Sequence, residues 1–90
     1  MIERTLQFRF EKNGLLLDTT ETTFTAARRI GAHIADEYGR VQMYAYNDAL
    51  YRWDHIGDFI GCHRFISSLE GEEMFISDDY SRIIKKGGEL

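Results

Sequence analysis

Ninety residues with 43% hydrophobic side chains and a net charge of −4 are enough for one domain, residues 1–90, around a single modest core. No stretch approaches the ~20 apolar residues that a membrane span needs, and Met1-Ile2-Glu3-Arg4 lacks the apolar core of a signal peptide. The lone cysteine, Cys62, has no partner for an internal disulfide, which fits a reducing cytoplasm.

Charge is unevenly distributed. Residues 1–45 hold six basic and six acidic side chains, and residues 46–90 hold five and nine, so the whole excess of acid lies in the second half. Glu70, Glu72, Glu73, Asp78 and Asp79 fall within ten residues. A net-acidic chain does not attract phosphate backbones, because affinity for them rests on Lys and Arg displacing counterions. It is steered instead toward a basic partner.

The first element is a half-buried strand. Thr5 to Glu11 alternates, with Leu6, Phe8 and Phe10 on one face and Gln7 and Arg9 on the other. Asn13-Gly14 follows, a hairpin signal because both positions of a type I′ turn take positive φ. A two-residue loop pairs Lys12 with Leu15, and would set Phe10 opposite Leu17 and Arg9 opposite Asp18. Phe24, Ala27, Ile30, Gly31, Ile34 and Tyr38 then recur at helical spacing. The spacing predicts a helix over about 23–38, with Thr22 or Thr23 as cap and Gly39 as stop. Its outer stripe, Arg29–His33–Glu37, reads as a solvated, ion-paired face.

Residues 40–55 predict a second hairpin around Asn47-Asp48, with Tyr46 paired to Ala49. That register groups Val41, Met43, Ala45, Leu50 and Arg52 on one face. It places Gln42, Tyr44, Tyr46, Tyr51 and Trp53 on the other. Residues 56–69 fit either a helix or strands. Gly57 and Gly61 would each cost a helix about 1 kcal/mol, and the aromatic and β-branched content favours strands through His63–Ser67 and Glu73–Ser77. At the C-terminus Ser77, Asp78 and Asp79 resemble a cap and first turn, and Lys85, Lys86 and Gly87 a last turn and stop, which predicts a short helix. The expected class is α+β: an antiparallel sheet built from hairpins in the order β-β-α-β-β, then two further strands or a helix, and the C-terminal helix.

No motif specifies a reaction. Cys62-His63 and Asp54-His55 place adjacent side chains on opposite faces of a strand, so neither pair forms a nucleophile with its base. His33, His55, Cys62 and His63 lack the paired spacing of a zinc site. The isolated glycines form no phosphate cradle, and no cofactor is indicated. The expectation is therefore a binding protein rather than an enzyme. Tyr44, Tyr46, Tyr51 and Trp53 supply aromatic anchors, and Glu70, Glu72, Glu73, Asp78 and Asp79 supply carboxylates for a larger protein with a basic surface. By analogy of composition this resembles the small acidic inhibitors of phages and mobile elements, which occlude nucleic-acid-binding sites. Two alternatives stand beside it. The rings could lie under a helix of the same chain, or they could stack nucleic-acid bases, which the acidic second half disfavours. An exposed edge strand leaves homodimer pairing open.

Overall fold

The computed structural model describes residues 4–61, 64–68, 71, 73–77, 79 and 82–85. These form β1 (Thr5–Lys12), β2 (Leu15–Thr23), α1 (Phe24–Tyr38), β3 (Arg40–Asn47), β4 (Arg52–Ile60), β5 (Arg64–Ser67), β6 (Glu73–Ile76) and β7 (Ile83–Lys85). The seven described strands make one antiparallel sheet in the order β2-β1-β3-β4-β5-β6-β7. Every neighbour but one is also the next strand in sequence. The exception is β3, which α1 carries across the sheet to lie against β1. The α+β class is as the sequence predicts.

Local signals explain most of the elements. Asn13 (φ 51°) and Gly14 (φ 85°) both take positive φ, and Lys12 pairs with Leu15. Thr23 caps α1, its hydroxyl accepting from the Ala26 N–H at 3.2 Å, and the Gly39 N–H closes the last turn on the Ala35 carbonyl at 2.8 Å. The helix face that meets the sheet is small: Ala27, Gly31, Ala32 and Ala35 are its buried residues. Large side chains come from the strands instead. Phe8, Phe10, Val41, Met43, Phe59 and Phe65 are all essentially inaccessible to solvent. Phe59 and Phe65 meet at 4.8 Å between centroids, and Phe24 at the start of α1 packs against Phe8 and Phe65.

Several expectations are corrected. Ile83–Lys85 is a strand paired with β6, in place of the C-terminal helix. Ser77 shapes a turn rather than a helix cap: its N–H donates to the Arg82 carbonyl at 2.9 Å and its hydroxyl accepts from the Arg82 N–H at 3.0 Å. β4 runs on to Ile60, and the choice between helix and strands further along falls to strands, as β5 and β6. In the first hairpin a bulge leaves Leu17 without an opposite number, so Phe10 faces Asp18 and Arg9 faces Thr19.

The second hairpin has a four-residue loop, 48–51, and Tyr46 lies opposite Trp53 rather than Ala49. Asn47 is the cause. Its side-chain carbonyl accepts from the N–H groups of Ala49 and Leu50, both at 3.1 Å, so it closes the turn from the end of the strand. Leu50 and Tyr51 consequently leave the sheet and stand exposed in the loop, with Tyr51 at φ 53°.

A Cβ added to Gly31 would fall within the Phe59 ring and 2.9 Å from Phe10 Cε1. Alanine ordinarily favours a helix by about 1 kcal/mol over glycine, yet overpacking a filled core costs about 1–3 kcal/mol. Gly31→Ala is therefore expected to lower the urea unfolding midpoint despite its better propensity, and a raised midpoint would show that the Phe59 ring has room to move.

Candidate functional site

Strand alternation divides the sheet into two faces. Phe8, Phe10, Val41, Met43, Phe59 and Phe65 point toward α1. Their sequence neighbours point away from it, onto a face that no described helix covers. Tyr44, Tyr46 and Trp53 stand in the middle of that second face, on β3 and β4, and are half-buried by one another and by flanking side chains. The predicted ring-bearing face thus exists without Tyr51, which the longer loop removes.

A β-bulge makes this face possible. Met43 pairs with Gly57 but Tyr44 pairs with His55, so Ile56 is the extra residue. With strict alternation Trp53, His55, Gly57 and Phe59 would all share one side. The bulge reverses the facing between His55 and Gly57. Phe59 then enters the core while Trp53 and His55 turn outward.

The rings are held in place by neighbours. Tyr46 and Trp53 pack edge to face at 5.2 Å, and Tyr44 and His55 meet at 5.2 Å with a 48° tilt. The Arg9 guanidinium lies 5.3 Å from the Trp53 ring centre, and its Nε is 2.8 Å from Glu11 Oε2. Two grooves flank the rings. One, of about 430 Å³, is lined by Gln7, Thr19, Glu21 and Trp53 among others. Its neighbour, of about 210 Å³, shares Gln7 and Glu21 and runs past Tyr46 to Asp48 and Arg4.

Three cations on this face are matched by carboxylates of the same chain, Arg9 with Glu11, Arg40 with Asp58 at 3.9 Å, and Arg64 with Glu73, while Arg4 lines the smaller groove with Glu21 and Asp48. The last pair fixes one of the five predicted binding acids, since Glu73 is half-buried against Arg64. Asp79 is exposed and accepts from the Ser77 hydroxyl at 2.8 Å. Glu70, Glu72 and Asp78 lie outside the described residues, as do Cys62 and His63.

His55, which the sequence offers beside Asp54 and among the soft ligands without a site, has a polar setting of its own with other partners. Its Nε2 is 2.7 Å from Asp58 Oδ1, and the Ser68 hydroxyl is 3.0 Å from Nδ1. This has the composition of a catalytic triad but not its geometry. The hydroxyl is also 3.4 Å from Nε2, so it sits off the Nδ1 lone-pair axis, where the imidazole takes up a proton poorly. Asp54, on the opposite face, is tied up elsewhere: it accepts from the Asn47 side-chain amide at 3.0 Å and from Arg52 Nε at 2.8 Å. Among the described residues no three His, Cys, Asp or Glu side chains gather as a metal site, and no helix is long and apolar enough to cross a membrane.

The chain matches no family model, no curated protein and no solved structure.

Hydrogen bonding from Asn47, and then from Arg52, holds the Asp54 carboxyl below the ordinary value of 3.8. A group whose folded value is depressed contributes stability that is fully present above its unfolded value and is lost as pH falls through the folded one. A carboxyl-detected NMR titration is therefore expected to place the Asp54 midpoint below 3.8, and Asn47→Ala should move it upward. An unchanged midpoint in that variant would remove the turn amide as the cause.

Proposed function

We propose that the protein is a non-catalytic binding module that docks a larger protein through the ring-bearing face of β3 and β4. The observation that carries this reading is the position of Tyr44, Tyr46 and Trp53: half-buried at the centre of a sheet face that no described helix covers. Tyr and Trp serve as interface anchors because each joins a large apolar ring to a polar tip. A ring cluster in the middle of a face, with polar side chains around it, has the layout of an interface core and rim. The net charge of −4 favours a partner with a basic surface, a nucleic-acid-binding site being one such surface, and the role is then that of an inhibitor or regulator in the cytoplasm.

The structure changes the weight of the two contact classes foreseen in the sequence. Glu73 already serves Arg64, so that carboxylate contributes through long-range attraction more than through direct contact. The rings supply the contact energy. Base stacking would use the same rings, but it also needs cations free to meet phosphates. Arg9, Arg40 and Arg64 on this face are each matched to a carboxylate, and Arg4 shares its groove with the carboxylates of Glu21 and Asp48.

Affinity capture from native lysate, with and without nuclease, tests the reading. Trp53→Ala is expected to weaken capture of the partner by about 30-fold, the effect of losing a hot-spot residue worth about 2 kcal/mol, while leaving the urea unfolding transition cooperative. Capture that survives Trp53→Ala, or that disappears on nuclease treatment, would overturn it.

A further inference from the structure

We infer that the groove between β2 and the Tyr46–Trp53 pair is a subsite for an arginine side chain of the partner. The inference rests on the docking face proposed above and names the group that enters it. Gln7 and Glu21 are paired across β1 and β2, and both line the two grooves that flank the rings. The larger groove thus presents the carboxylate of Glu21 with the indole of Trp53, and the smaller presents the same carboxylate with the ring of Tyr46. Glu21 is exposed and forms no ion pair with a described residue. It differs in this from Glu11, Asp58 and Glu73 on the same face, whose charges are already matched.

The chain contains its own precedent for the chemistry. Arg9 lies over Trp53 while its guanidinium is matched to Glu11. A cation between a ring and a carboxylate is therefore compatible with this indole, and Glu21 with Tyr46 or the far side of Trp53 offers a second such place. A guanidinium suits it better than an ammonium. It is planar, so it can lie against a ring and still direct two parallel N–H groups at a carboxylate, and it loses less hydration on entry. Gln7 and Thr19 add neutral polar groups along the groove wall. The smaller groove also holds Arg4 and Asp48, so its charged lining residues are one cation and two carboxylates, while Glu21 is the one charged side chain among the described residues that line the larger groove.

Trp53 is the only tryptophan, so its indole N–H signal and its fluorescence report on this groove alone. The probe is N-acetyl-arginine methylamide, titrated at low salt into wild-type protein and into Glu21→Gln, with the citrulline and lysine analogues in parallel. A saturable shift of the Trp53 signal is expected with the arginine probe, about tenfold weaker in Glu21→Gln because a charge-assisted hydrogen bond is lost. It should also be absent with citrulline and weaker with lysine. Equal responses to arginine and citrulline, equal responses to arginine and lysine, or no difference between wild type and Glu21→Gln would each overturn the subsite. Partner capture separates this failure from that of the docking face. If Trp53→Ala abolishes capture and Glu21→Gln leaves it intact, the face stands and the arginine subsite falls; if neither variant alters capture, both fall.

Discussion

The one described helix has to close one side of a sheet of seven described strands, and the rest of the structure follows from how it does so. Strands spaced about 4.8 Å apart make such a sheet about 29 Å wide, whereas a helix with its side chains is about 10–12 Å across. Large helix side chains would hold α1 off the sheet and leave gaps on either side. The chain takes the opposite course. Ala27, Gly31, Ala32 and Ala35 bring the helix backbone close, and Phe8, Phe10, Phe59 and Phe65 rise from the strands to fill the space around it. Gly31 is the tightest point, where the Phe59 ring occupies the volume that a side chain would take. Gly57 does the same for Phe65 within the sheet. With the aromatic core committed to one face, the rings of β3 and β4 that point the other way have no described helix to cover them.

The division of rings between core and surface was only partly legible in the sequence. Val41, Met43 and Ala45 against Tyr44 and Tyr46 is ordinary alternation, and it holds. The second strand of that hairpin is harder, because Trp53, His55, Gly57 and Phe59 are all odd-numbered and so share a face in any unbroken strand. Only the extra residue at Ile56 sends Phe59 inward and Trp53 outward. Nothing local marks Ile56 as a bulge. What requires it is the tertiary demand that Phe59 meet Gly31, and a contact between residues so far apart in sequence leaves no periodic trace. Leu17 in β2 is the same case: the Asn13-Gly14 turn was correctly placed, but the register beyond it slips by one residue.

Turn chemistry accounts for the other departures. Asn47-Asp48 carries the residue types of a two-residue loop. Asn47 instead spends its side chain on two loop N–H groups and on Asp54, which lengthens the loop and takes Tyr51 out of the sheet. Ser77 carries the residue type of a helix cap and serves a turn. In both places one polar side chain satisfies backbone groups in either of two structures. The outcome was decided by β-pairing partners elsewhere in the chain, β4 for the first and β6 for the second. The helix, expected over about 23–38 and found over 24–38, was legible because its cap, its apolar spacing and its glycine stop agree with one another and need no distant partner, although the face that meets the sheet is the small one of Ala27, Gly31, Ala32 and Ala35.

The ring-bearing face combines features that bear on how it would bind. Trp53 is fixed between Tyr46 and Arg9, and Tyr44 is fixed against His55, so these side chains have already lost much of the rotamer freedom that association would otherwise take from them. The ion pairs around them are local and each keeps part of its charge in contact with water, which limits what each is worth to stability. Their consequence lies in selectivity. A phosphate approaching this face meets guanidinium groups that stand beside carboxylates, and it would have to displace those carboxylates or bind next to them. A guanidinium approaching the larger groove meets Glu21, the one charged side chain among the described residues that line it. On the proposed reading the sign preferred at close range beside Trp53 is set by Glu21, and it is the same sign that the net charge of −4 favours at long range.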